Sequence, residues 1–574
     1  MKQELRKQLS LTLKQLYALK ISPQDIHLEH PQEYAHGDWA TNIALVLAKN
    51  LDKNSYNIAE EVADKLALQQ LEQIAQISVA QPGFINFKLK DSYYKQSLLA
   101  LLATPGGYGE NGRLKGKQIM VEFAHPNPFK SFHIGHLRNI ILGESIVRLL
   151  ESQGAEVIRT NYQGDVGMHI AKCLWAFQKV DPSIYPETTD EKVALLGKCY
   201  AQGAQIFEQD DNVKKEIQTI NEEIYSKENP EINKLWELGK AWSLEKFHEI
   251  YERLYTYFHR EYMESETLEY IDNAVTLAID KGILKYSEGA LIFDGGPYGL
   301  DTRVFLNSKG LPTYEGKELG LAQLKTEEYG IVDLHIHNVA VEQKSFFAVT
   351  FKVKELLWPK AFKNRQYHNA YEFVGLKRGK MSSRKGNVVL GNDILNEAHK
   401  RIYQIVKSRE NIENPEDISE IVGTGAIKWS FLKISPFKYL AFDLDESVSF
   451  EGDSGPYVQY TYARAKAILR STVPFDSSES LESTLNTQEE LDILRWLERF
   501  PEIVENASIE YAPNYLTNYL FELSQKFNTF YKSHSVLNTE REEDRISRLM
   551  LTQAVSEVIK QGLNFLGIKT AEKM

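Results

Sequence analysis

The apolar positions between Gln118 and Tyr162 change their period twice. Gln118 to Ala124 is an apolar run of strand length. From Ile134 to Leu150, apolar residues (Leu137, Ile140, Ile141, Ile146, Leu149, Leu150) recur at the spacing of one helix face. Gly154 follows where a left-handed helix cap belongs, and Val157 and Ile158 begin a second strand running to Tyr162. Strand, helix and strand in this order predict a right-handed βαβ unit in a parallel sheet. Such sheets bind ligands at the carboxyl ends of their strands, against helix N-termini. That edge carries His125-Pro126-Asn127-Pro128 and His133-Ile134-Gly135-His136. No Gly-x-Gly-x-x-Gly joins this first strand to its helix, so a dinucleotide fold is not indicated.

Upstream, residues 1–20 read as a helix with Leu5, Leu9, Leu13 and Leu16 on one side. Residues 37–51 and EVADKLALQQLEQIAQ read as two more, and 77–89 alternate like a strand. This α+β module ends in the turn-rich stretch 104–117. Downstream, residues 190–282 are densely charged and helical in pattern, an insertion between two halves of the sheet. Strand signals at 290–294, 302–306 and 332–340 predict the second half-sheet of a doubly wound fold. A Gly-, Ser- and base-rich loop fills 371–390, and from 395 the pattern is helical to the end, with a polar linker at 477–490. The expected domains are 1–108 (α+β), 109–395 (Rossmann-like, with a helical insertion at about 175–290) and 396–574 (all-α).

A chain of 574 residues has room for three or four domains. The net charge of −12 argues against a generally basic nucleic-acid coat but permits local basic patches. Cys173 and Cys199 form no C-x-x-C pair, so neither a disulfide framework nor a cysteine zinc site is expected. The amino terminus lacks a continuous apolar h-region, and no apolar run reaches membrane-spanning length. A soluble cytoplasmic protein, without a membrane partner, is the expectation.

The chemistry lies in two elements. His133 and His136, one turn apart at a helix start, can both donate to phosphate oxygens where the helix dipole adds positive potential. Between them Gly135 leaves room for a nucleobase on the backbone. KRGKMSSRKGN at 377–387 supplies a cationic loop able to close over the same crevice. Together they suit a nucleoside triphosphate attacked at its α-phosphate, where catalysis is positioning and charge stabilisation.

HIGH followed by KMSSR resembles the class I aminoacyl-tRNA synthetases, and three stretches resemble the arginyl-tRNA synthetase family in particular. These are VEFAHPNPFKSFHIGHLRN, NYQGDVG at 161–167, and the carboxy-terminal run from YVQYTYARAKAILR to LNFLGIKTAEKM. PGFINFKL resembles that family's amino-terminal module. The resemblance implies a class I Rossmann-like catalytic domain, a small N-terminal α+β domain contacting the tRNA core, and a helical anticodon-binding domain. It also implies arginine activation by ATP with Mg²⁺, transfer to tRNA(Arg), no zinc, and a monomer. By the same resemblance, Glu122, Asn127, His133, Tyr314, Glu318 and Gln343 bind arginine. His133, Gly135, His136, Lys380 and Ser382 bind ATP, with Arg384 and Lys130 as further catalytic cations. Phe84, Asn86, Gln459, Tyr460, Tyr462 and Arg464 meet tRNA. Glu318 departs from the family's usual Asp, and both Lys130 and Lys380 are present where many members carry only one. A class I synthetase for another amino acid, a small-molecule nucleotidyltransferase and a silent tRNA-binding paralogue stand as alternatives.

Overall fold

The computed structural model describes residues 1–377, 389–409, 412–472, 481 and 483–574. The chain divides into two compact units: Met1–Pro105 with Pro474–Glu498 and Ser535–Ala554, and Gly106–Val473 with Arg499–His534 and Val555–Met574.

In the first unit, α1 (Lys2–Tyr17) buries Leu5, Leu9 and Leu13. The segment 37–51 is not one helix: Trp39–Thr41 is a strand, β1, and the helix α2 starts only at Ile43–Leu51. Asn54 caps α3 (Ser55–Ala67) by accepting from Tyr56 N at 2.9 Å. The alternating stretch is two strands, β2 (Ile74–Ala80) and β3 (Phe84–Leu89), separated by Pro82-Gly83. β3 is the centre of an antiparallel sheet ordered β1-β3-β2. Helix α4 (Asp91–Ala103) meets the later segment of this unit: Tyr93 donates to Glu498 at 3.0 Å and Lys95 to Asn486 at 2.9 Å.

The second unit is built on β4 (Gln118–Glu122), α5 (Ile134–Ser152) and β5 (Glu156–Gln163). Gly154 takes φ +88°, as the left-handed position after α5 requires. Helices α6 (Met168–Phe177), α7 (Thr189–Phe207), α8 (Asp211–Ser226) and α9 (Pro230–Arg253) follow. The helical run then ends earlier than its charge pattern predicts. Arg260–Met263 is a strand, β6, paired parallel to β5. Four residues carrying Arg260 and Glu261 give no periodic signal, although Tyr262 is wholly buried.

After α10 (Leu268–Asp280), strands β7 (Lys285–Ser287), β8 (Ala290–Phe293) and β9 (Arg303–Leu306) form their own antiparallel sheet. The expected half-sheet therefore does not contain 290–294 or 302–306. It consists of β10 (Leu334–Ala340), reached through α11 (Tyr314–Tyr329), and β11 (Gln366–Tyr371), reached through α12 (Lys344–Leu357) and α13 (Pro359–Phe362). The five strands run parallel in the order β11-β10-β4-β5-β6. The chain reverses its winding between β4 and β10, where such sheets open a crevice.

Strand β12 (Val374–Leu376) pairs with β13 (Leu440–Phe442), which interrupts the otherwise helical carboxy-terminal region. That region comprises α14 (Gly391–Val406), α15 (Pro415–Leu432), α16 (Leu444–Ser447), α17 (Gly455–Arg470), α18 (Gln488–Ile509), α19 (Asn514–Ser533) and α20 (Glu542–Phe565). Among the described residues no helix is long and apolar enough to cross a membrane.

Candidate active site

The loop from β4 to α5 passes through the left-handed region at three non-glycine residues: Ala124 (φ +84°), His125 (+53°) and Phe129 (+66°). Such residues cost roughly 1–3 kcal/mol each and persist only where the surroundings over-determine them. Here Ala124 N donates to Asn139 Oδ1 at 2.8 Å, His125 N to Asn161 Oδ1 at 3.0 Å, and Phe129 N to Ser243 Oγ at 2.9 Å. Asn127 Oδ1 accepts from Gly164 N at 2.9 Å, so it joins the ends of β4 and β5. The Phe129 ring lies under Gly239 of α9, where a Cβ would stand 2.2 Å from it.

His133 is the N-cap of α5. Its Nδ1 accepts from Gly135 N at 3.1 Å, while His136 Nδ1 accepts from His133 N at 3.2 Å. A backbone N–H can only donate, so in both neutral rings the proton sits on Nε2. The rings stack with centroids 3.8 Å apart. Burial, with Lys130 nearby, lowers the pKa of each below the usual imidazole range, and that of His136 well below. The motif therefore presents two neutral Nε2–H donors at the positive end of a helix. Gly135 leaves space over the backbone, since a Cβ there would stand 3.0 Å from the His133 ring.

Ile134 N donates to Val389 O at 3.1 Å and Gly391 N to Phe132 O at 2.9 Å, which ties the chain beyond the basic loop to the start of α5. Before the loop, Lys377 N donates to Phe442 O at 2.8 Å. Lys380, Ser382 and Arg384 lie outside the described residues. Lys130 is half-buried, and burial lowers its pKa against the pull of Glu264.

Buried charges stand in pairs near the point where the winding reverses between β4 and β10. Glu122, at the end of β4, is ion-paired with Lys325 and accepts from His337 Nδ1 at 3.0 Å. Burial would raise its pKa, but Lys325 and His337 hold it well below the carboxylate range. Glu318 meets Lys354 at 2.7 Å, and Glu264 meets Lys317 at 3.3 Å. Two buried imidazoles complete the group. His125 Nδ1 faces Tyr162 O at 3.2 Å and His337 Nδ1 faces Glu122, both acceptors, so each ring carries its proton on Nδ1. Their Nε2 lone pairs are buried and have no hydrogen-bond partner among the described residues. Burial lowers both pKa values. Tyr314 begins α11 and is 70% exposed, with Lys317 Nζ 5.7 Å from its ring. Gln343 is half-buried at the end of a short 3₁₀ turn.

Of the residues expected to meet tRNA, Phe84 is half-buried at the hairpin end of β3, and Asn86 is buried in the same strand. Gln459 and Tyr462 do not lie on an exposed face of α17. Gln459 is wholly buried and donates to Lys569 O at 2.8 Å and Ile421 O at 3.4 Å, and Tyr462 is 2% exposed. Tyr460 and Arg464 instead line a cavity of about 390 Å³ with Arg470, Tyr531, Glu572 and Met574. The Arg464 guanidinium stands 4.9 Å from the Tyr460 ring and 5.4 Å from Tyr531.

Comparison with known proteins places these features. Residues 98–443 match the class I (R) tRNA synthetase catalytic domain, 458–574 the DALR anticodon binding domain, and 3–89 the arginyl tRNA synthetase N-terminal domain. The chain belongs to the class I arginyl-tRNA synthetase family. The arginine–tRNA ligase of Treponema denticola is 32% identical over 570 residues, 97% of this chain and 96% of that protein. That of Flavobacterium psychrophilum is 30% identical over 543 residues, 90% of this chain and 89% of its own. The Thermus thermophilus arginyl-tRNA synthetase structure matches with a TM-score of 0.83 and 26% identity over the whole of both chains.

Within the family's catalytic domain, three residues here were not singled out from the sequence, Lys325, His337 and Lys354, while His125 was placed on the ligand edge without a role. Lys325 and Lys354 each interrupt a helix face that is otherwise buried, in LGLAQLK and FKVKELL. A buried lysine is rare without a partner, so those interruptions are the signal that could have found them.

Proposed function

We propose that the chain ligates L-arginine to tRNA(Arg): the arginine carboxylate attacks the α-phosphate of ATP, pyrophosphate leaves, and the arginyl-adenylate passes its acyl group to the tRNA 3′ end with release of AMP. The supporting observation is the pocket's unmet chemistry. A guanidinium is five donors and no acceptor. What the crevice offers is two buried, unpartnered imidazole lone pairs, on His125 and His337, beside the carboxylates of Glu122 and Glu318. Each charge-assisted hydrogen bond contributes roughly 1.5–3 kcal/mol, enough in combination to reject citrulline without proofreading.

In this reading His133 and His136 donate through Nε2–H to the triphosphate, the base lies over Gly135, and Lys130 with Lys380, Ser382 and Arg384 neutralises the developing charge. The donor set beside α5 is N–H and ammonium, which suits phosphate oxygens rather than a bare cation, so Mg²⁺ would arrive on the ATP. Asn127 and Glu122 serve the α-amino and carboxyl end, while Tyr314 and Gln343 border the side-chain pocket. Phe84 and Asn86 would meet the tRNA core, and the cavity of Tyr460 and Arg464 the anticodon, by stacking and cation–π contact. From the family resemblance we read the protein as a cytoplasmic monomer.

The test is arginine-dependent exchange between pyrophosphate and ATP, with and without tRNA(Arg), against lysine and glutamate. Exchange with arginine alone among the three is expected. Exchange with another amino acid would keep the class and overturn the pocket assignment.

A further inference from the structure

Lys354 occupies the carboxylate that the substrate needs. It lies on α12, 1% exposed, with Nζ 2.7 Å from Glu318 Oε1 and the Phe351 and Phe362 rings 5.0 and 5.5 Å from the ammonium. The other charged or titratable groups facing it are Lys325 from α11, Glu122 from β4, and His335 and His337 from β10. Burial keeps both imidazoles neutral. The buried cluster is therefore complete without a ligand: two carboxylates, Glu122 and Glu318, against two ammoniums, Lys325 and Lys354.

A free-state partner is a physical necessity, because a buried carboxylate left alone is strongly destabilising. A guanidinium arriving at Glu318 reverses the problem, since three cations then face two carboxylates out of water. Of the three, the guanidinium cannot lose its proton, and Lys325 remains on Glu122. Lys354 is the group that can yield: an amine is titratable, and burial already lowers its pKa from the ordinary lysine value.

We propose that Lys354 is an exchangeable counter-ion that gives Glu318 up to the arginine guanidinium, its Nζ–H bond breaking and the proton passing to solvent. This rests on the reading of Glu318 as the guanidinium acceptor. Lys354 is then a positioning residue: it holds Glu318 in the empty enzyme and sets arginine affinity through the proton it must lose.

Titration calorimetry of the full-length protein with L-arginine, in PIPES and in Tris at equal pH, counts that proton directly. About one proton released per arginine is expected in the wild type, with Kd falling about tenfold per pH unit between 6.5 and 8. In Lys354→Met the ammonium no longer competes for Glu318, and arginine should bind at least tenfold tighter at pH 7. Arginine binding by the wild type with no buffer-dependent heat would overturn the inference, whether or not the variant folds, and would leave the ligase reading intact. No arginine binding and no arginine-dependent exchange would overturn both.

Discussion

Lys428, on α15, is a buried ammonium that no carboxylate meets among the described residues. Its Nζ donates to Leu254 O at the end of α9 and to Gly567 O at 2.6 Å. Burial, with Arg148 close by, lowers its pKa from 10.5 to about 7. Between those values the unfolded chain binds one proton more than the folded one, so stability rises with pH. A shift of this size corresponds to about 4–5 kcal/mol when fully developed, and about 4 kcal/mol by pH 10. Lys428→Met abolishes the effect while leaving two carbonyls without their donor, a constant loss of roughly 1–3 kcal/mol each. The stability difference between wild type and variant should therefore grow in the wild type's favour by about 4 kcal/mol from pH 6.5 to 10. Urea unfolding followed by tryptophan emission measures it, with buried Trp429 next in sequence as a reporter. The other lysines and tyrosines titrate in both proteins and cancel. A difference that stays constant within about 1 kcal/mol over that range would refute the reasoning, because it would mean that Lys428 is not titrating where its burial requires.

Glu144 accepts from Arg148, Arg159 and Thr256, binding α5 to β5. Glu144→Leu should cost about 3–5 kcal/mol in urea unfolding, and adding Arg159→Met should recover at least 1 kcal/mol of it. Strict additivity would show the network to be uncoupled. His133→Asn retains an oxygen able to cap α5 but loses the Nε2–H, so pyrophosphate exchange should fall about 10²–10³-fold with unchanged helical circular dichroism. Because both motif imidazoles stay neutral below their ordinary pKa, the wild-type exchange rate should show no loss of a group near pH 6.5. Gly239→Ala drives a methyl into the Phe129 ring, so a destabilisation of about 1–3 kcal/mol and a raised arginine KM are expected. Binding of tRNA(Arg) should weaken steeply with salt, and Arg464→Ala should reduce the slope of log K against log salt by about 1.

The elements legible in the sequence were those with a continuous apolar run or a helical apolar period. α5 and the strands before and after it announce themselves in this way, although α5 is buried nearly all round, and the His133–His136 stretch lies at the N-terminus of α5 as its sequence position requires. β6 was invisible because four residues with two charges leave no pattern, and its place is set by pairing with β5. β8 and β9 read correctly as strands, but nothing in an isolated strand states which sheet it joins. In the pocket, Glu122 stood out as a carboxylate in an apolar strand. Its partners did not, because Lys325 and His337 come from 203 and 215 residues away and only folding brings them to it. Gln459 misled for a related reason: a polar residue on a helix looks solvated until a distant backbone, here Lys569, is found accepting from it.

The two hydrogen bonds joining Phe132 and Ile134 to Gly391 and Val389 set different tolerances to length change along the chain. Roughly a hundred residues separate β5 from β6, and helices can be gained or lost there while both strands stay in register. Lys377 and Val389 are each held from another part of the chain: Lys377 N donates to Phe442 O, and Val389 O accepts from Ile134 N in the first turn of α5. Insertions and deletions that survive in relatives should therefore collect in the helical insertion, and be rare at 132–134 and 389–391, where a change of length would break this pairing.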